Sequence, residues 1–177
     1  MNFALAVAIG YTTASLYSRT LLINEEEDSE GNRKVVILSR SMNTKGLVIR
    51  PKKELFDQCK DDPASISKIL HTISHAFLKH LPLQTGLEPN EFYESIDIDS
   101  QEISIFDNQP GGIGGVLAIT DVDNGELSPD YQQLVSTSVD CDIECPSACR
   151  ACLYVENCGR LNRQLNRKLL GGVLTPV

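Results

Sequence analysis

Short apolar or β-branched runs recur along the first third of the chain, at residues 3–9, 16–23, 35–38 and 47–49. Each has the length and residue type of a strand. Between the second and third lies the polar stretch 24–33, which contains Glu25, Glu26, Glu27 and Asp28 followed by Ser-Glu-Gly-Asn. It has turn chemistry and no apolar anchor, and reads as a solvated hairpin connection. Residues 51–60 predict a short helix, and Asp62-Pro63 then supplies an N-cap and a first-turn proline for a longer helix reaching about residue 81. Ile66, Leu70, Ile73 and Phe77 recur at helical spacing, so one face of this helix belongs to the core. A Glu-rich helix at 91–95, a strand at 103–106, a glycine-rich loop at 107–115 and an apolar return at 116–119 follow. Ser128-Pro129 repeats the cap-plus-proline signal for a helix to about residue 139, and a last helix at 161–170 stops at Gly171-Gly172. The pattern is that of an α/β or α+β protein with a mainly antiparallel N-terminal sheet, a long central helix and a cysteine-rich C-terminal region.

A length of 177 residues suits one domain with a core of its own. Within it we distinguish a sheet region (1–60), a helix and glycine-loop region (61–140), and a cysteine knot with its C-terminal helix (141–177). Residues 1–9 are apolar but lack a basic flank, and the run is too short for a signal peptide or a bilayer span. The expected setting is the cytoplasm, with no membrane partner.

The net charge of -8 is unevenly spread: no Lys or Arg occurs from Leu81 to Cys149, while fourteen acidic residues do. That centre would repel a phosphate backbone and suits a basic protein partner or simple solvation. Arg160, Arg163 and Arg167, at i, i+3 and i+7, would form one stripe on the last helix and are the chain's best contacts for phosphate or carboxylate.

Of six cysteines, five fall in the pattern Cys141-x3-Cys145-x3-Cys149-x2-Cys152-x5-Cys158. So dense a cluster favours metal ligation over disulfides, and the C-x2-C element lets two thiolates bite one ion from a single turn. We assign Cys145, Cys149, Cys152 and Cys158 as ligands of Zn²⁺, with Cys141 either a substitute ligand or a hydrogen-bonding neighbour. A [4Fe-4S] cluster is the alternative occupant of four thiolates. Cys59 stands alone and suits a small core position.

His71 and His75 lie four apart, a spacing at which two imidazoles can share a metal. A metalloprotease is excluded, because Thr72 stands where the general base would be and no acid occurs between Asp62 and Glu88. The pair falls opposite the apolar face, beside Lys68 and Lys79, and would line a second interface or hydrogen-bond between layers. Asp107, Gly111, Gly112 and Gly114 follow a strand as phosphate loops do, yet lack a Gly-Lys-Ser/Thr ending or a dinucleotide fingerprint. Close packing at a strand end is the alternative to anion binding.

Leu70-His71-Thr72-Ile73-Ser74-His75-Ala76, then Ile105-Phe106-Asp107 with Pro110-Gly111-Gly112-Ile113-Gly114, then the cysteines with Asn162, Leu165 and Arg167, resemble a known family. This is the helicase-associated cysteine-rich domain of unknown function, found in DEAD/DEAH-type helicases such as mitomycin repair factor A and in the DISARM phage-defence protein DrmB. The resemblance implies a zinc module working with a DNA helicase or translocase, in repair or antiviral defence. The chain has no ATPase motifs, so the expected role is non-enzymatic, with a protein partner and DNA as contacts. A nuclease or phosphoesterase built from His71, His75 and Asp107 is the enzymatic alternative.

Overall fold

The computed structural model describes residues 5–17, 25–27, 33–35, 39–59, 62–121, 126–156, 158 and 162–171. Strands β1 (Leu5–Tyr17) and β4 (Ser39–Pro51) pair antiparallel along their full length, and β2 (Glu25–Glu27) pairs with β3 (Arg33–Val35) as a small ribbon inside the connection. Strands β5 (Phe92–Asp97) and β6 (Glu102–Asp107) complete a four-stranded sheet of order β1-β4-β6-β5. Every pairing in it is antiparallel, so the fold is α+β rather than α/β.

The two expected strands at 3–9 and 16–23 are partly one continuous element, and residues 18–24 and 36–38 lie outside the described residues. β6 pairs with β4 only from Gly46 to Ile49, so among the described residues the other end of the β1–β4 ribbon has no third strand on that side. That half carries Tyr, Thr and Ser, which suit a strand without a continuous apolar run, and the periodicity therefore missed it.

Helix α1 (Pro63–Leu78) starts as expected: the Asp62 carboxylate accepts hydrogen bonds from the Ala64 and Ser65 N–H groups. Its apolar face shares one core with Leu47, Ile49, Ile103 and Ile105, cross-strand neighbours on one face of the sheet. All residues from 69 to 77 are buried, which a helix lying on a sheet with one face in water would not show. The polar side is covered too, by the cysteine region. α1 ends three residues before the expected position because Pro82 cannot continue it; a separate α2 (Leu81–Thr85) follows and closes at Gly86, whose φ of 71° is left-handed.

The Glu-rich helix expected at 91–95 is strand β5. A 3-10 turn, Pro89–Glu91, absorbs the helix-start signal, with the Glu91 carboxylate accepting from the Glu88 N–H at 2.9 Å. From Phe92 the aromatic and β-branched residues take over, and Phe92 points into the core while Tyr93 is exposed. Helices α3 (Gly115–Ala118) and α4 (Pro129–Ser136) follow, the latter capped by Ser128. The last expected helix is instead two 3-10 turns, Asn162–Gln164 and Arg167–Leu170. Asn166 between them is extended (φ -146°), and its side chain caps the second turn. Among the described residues no helix is long and apolar enough to cross a membrane.

Candidate metal centre

Between α4 and the 3-10 turns the described residues form no helix or strand, and side chains hold them. Cys141, Cys145, Cys149 and Cys152 bring their sulfurs within 4.8 Å of one another. The Sγ···Sγ separations are 3.7 Å for Cys141–Cys149, 3.7 Å for Cys145–Cys152 and 3.8 Å for Cys149–Cys152. A tetrahedral zinc with Zn–S bonds of about 2.3 Å has S···S edges of about 3.8 Å, so the four thiols match one mononuclear ion. A [4Fe-4S] cube places each thiolate on a different iron and needs a wider cage. Cys141, rather than the expected Cys158, is the cysteine whose sulfur lies with those of Cys145, Cys149 and Cys152. The reason is geometric: Cys158 lies beyond Leu153, where the chain has turned toward α1.

Burial pushes the Cys152 thiol up to about 12 and raises that of Cys145, while the backbone N–H of Cys152 holds the Cys149 thiol down to about 7. Taking up an ion therefore expels protons from the buried thiols.

The knot is fastened to α1 by one stripe at i, i+4 and i+8. His71 and His75 each place Nε2 at 3.3 Å from Cys158 Sγ. His75 Nδ1 lies 2.9 Å from the Leu153 carbonyl, and Lys79 Nζ donates to the Arg150 carbonyl at 2.7 Å. The second interface expected of this face is thus the knot itself. A carbonyl only accepts, so His75 carries its proton on Nδ1 and turns the Nε2 lone pair toward Cys158. Burial lowers the His75 pKa, which keeps the ring neutral.

His80, which the sequence reading passed over, ties the end of α1 to the same region. Its Nε2 donates to Ser138 Oγ at 2.9 Å, and Ser138 donates to the Cys152 carbonyl at 3.3 Å. Burial, helped by the Lys79 charge, depresses its pKa to about 4. A single His outside any spacing motif offers no signal for such a role.

Asp107 does not meet the histidines. It is fully buried, and its carboxylate accepts from the N–H groups of Ile113 (3.0 Å), Gly114 (3.1 Å) and Val116 (3.1 Å). The glycine loop folds around it, with Gly111, Gly112 and Gly114 at φ of 82°, 79° and 89°. The amides that would have cradled a phosphate are occupied by the protein's own carboxylate. A hydrolytic site of His71, His75 and Asp107 is therefore corrected: the imidazoles face a thiol, the carboxylate faces its loop, and no catalytic constellation assembles among the described residues.

Nor do the two described arginines of the expected stripe, Arg163 and Arg167, lie on one helix. Arg160 lies outside the described residues, and Arg163 is exposed. Arg167 turns into the knot, its Nε and Nη2 donating to the Cys145 carbonyl at 3.2 and 3.1 Å and its Nη1 to Val139 at 2.6 Å. Replacing Arg167 with Ala is expected to cost about 2 kcal/mol in urea unfolding, since two carbonyls lose a charged donor. Arg163→Ala should stay within about 0.5 kcal/mol of wild type. Equal midpoints for the two variants would show that the clamp contributes nothing.

Residues 73–153 match the family model of the MrfA Zn-binding domain. A crystal structure of the DUF1998 helicase MrfA bound to DNA shares the fold, with a TM-score of 0.55 and 14% identity over 88% of this chain and 23% of that one. The chain thus spans 23% of that helicase's length. No curated protein matches the sequence. The chain thus resembles the zinc-binding domain of a DNA helicase family in the sequence of residues 73–153 and a DNA-bound helicase in fold, and its cysteine cluster could hold the metal.

Proposed function

We propose that the chain is a non-catalytic zinc module that docks on a DNA helicase or translocase in the cytoplasm, and serves DNA repair or antiviral defence. The observation that carries this reading is the knot: four thiols spaced for one ion, within the stretch that matches the zinc-binding domain of a helicase family. Around it, polar side chains that a catalyst would use are turned inward as fasteners. His71, His75, Lys79, Asp107 and Arg167 all have partners within the chain.

DNA would meet the exposed cations near the knot, Arg150, Arg163 and Lys168, because the centre of the chain carries acids alone. The acidic stretch from residue 81 to 149 would face a basic surface on the motor. In this reading Zn²⁺ sets the shape of the contact surface and takes no part in turnover.

The test combines the zinc-loaded chain with a DEAD/DEAH-type motor lacking a cysteine-rich domain, and reads complex formation, DNA-stimulated ATP hydrolysis and anisotropy of labelled DNA. The chain alone should hydrolyse no ATP, and the complex should bind DNA more tightly than the motor. Arg163→Ala and Lys168→Ala should each lower the slope of log affinity against log salt by about 1. Absence of both motor and DNA binding from a zinc-loaded, folded chain would sink the proposal.

A further inference from the structure

One cluster is left over once the knot has its four thiols. Cys158 Sγ lies 3.3 Å from Nε2 of both His71 and His75, and these three donor atoms lie within 4.8 Å of one another. We propose that His71, His75 and Cys158 form a second zinc site, completed by a water molecule, that pins the chain beyond the knot to α1.

The distances suit it. Tetrahedral zinc, with Zn–N bonds of about 2.0–2.1 Å and Zn–S of about 2.3 Å, has N···S edges of about 3.6 Å. A small opening of the observed triangle admits the ion. The two imidazoles come from one face of a helix at i, i+4, and their planes stand at 85° with centroids 4.4 Å apart, so the Nε2 atoms converge without stacking. The Leu153 carbonyl, 2.9 Å from His75 Nδ1, is the outer partner that zinc-bound histidines ordinarily have; it fixes both tautomer and ring direction.

The site is distinct from the knot in donors and in place. No cysteine is shared, and His71 and Cys158 fall outside residues 73–153, the stretch that the family model describes. The rings are buried while Cys158 is half-exposed, which leaves solvent access on the sulfur side for the fourth ligand. Leu153 joins the two centres, since it follows the ligand Cys152 and orients His75. The ion has a structural use as well: among the described residues, the chain after the knot holds only 3-10 turns, and the site ties it to a helix more than eighty residues earlier in sequence.

The experiment is metal analysis and cadmium NMR on the full chain purified with zinc and exchanged with cadmium. Wild type should hold two ions and give two resonances, one strongly deshielded by four thiolates and one upfield from a two-nitrogen, one-sulfur set. Cys158→Ser should keep the knot's ion and its resonance, lose the other, and retain wild-type circular dichroism. One ion per chain with a single tetrathiolate resonance overturns the proposal, and so does a second ion that persists in folded Cys158→Ser. If that variant does not fold, the wild-type spectrum decides alone. Neither readout depends on a helicase partner, so the site and the docking role stand or fall separately.

Discussion

Removing the knot's ion is expected to unfold the chain from Cys141 to the end of the 3-10 turns and to lower the stability of the rest. In Cys149→Ala/Cys152→Ala, or under a strong chelator, the circular dichroism transition should shift down by well over ten degrees or split in two. The magnitude follows from what holds this segment. Its described residues from 141 to 158 form neither helix nor strand, and few backbone hydrogen bonds close among them. Structural zinc in small cysteine sites supplies on the order of 10 kcal/mol of apparent binding free energy at neutral pH, comparable to the whole stability of a domain.

Loss would spread because the knot is the lid of α1. Without it His71, His75 and the end of the helix at His80 face water, and the buried Leu153, Leu165 and Leu170 leave the core. Proton competition gives the same result from another direction: ligand thiols must ionise to bind, so zinc affinity falls as pH falls. Hydrogen exchange at Leu153 and Leu165 with and without chelator is the measurement. Unchanged protection in metal-free protein, checked by elemental analysis, would mean that packing alone maintains the knot.

What the sequence made legible follows the range of each interaction. Asp62-Pro63 and Ser128-Pro129 announce their helices because a cap and its amides lie within three residues. The density of cysteines announces a metal for the same reason. Choosing four of five is a different problem, since spacing alone does not say that Cys158 turns away toward two histidines 83 and 87 residues earlier. A hint was present: five cysteines exceed four corners, and a His pair at i, i+4 wants a further donor. Arg167 was misplaced because the i, i+3, i+7 stripe presumed a helix that Asn166 interrupts. β5 was hidden because the charges at 91 and 94 look helical while Phe92 and Ile96 alternate toward the core.

Asp107→Ala is expected to cost about 3–5 kcal/mol and to disorder the loop from Pro110 to α3. The carboxylate is wholly buried and accepts three backbone N–H groups, one of them, Val116, itself buried, so truncation leaves amides without an acceptor where water has little access. The glycines cannot re-close the loop around a methyl group. Gly112 already lies so close to the Asp107 carboxylate and the Lys45 side chain that a Cβ there would clash, and a Cβ on Gly115 would run into the Phe92 ring. Asp107→Asn should cost about half as much: its amide oxygen can serve one side of the loop, but its NH₂ then opposes a donor on the other. Urea unfolding with constant slope would give both values. The zinc content of both variants should equal that of wild type, because Asp107 is not among the metal-binding clusters of the described residues. If Asp107→Ala instead lost zinc while keeping its unfolding midpoint, the loop would be part of the metal centre rather than a support for the sheet edge.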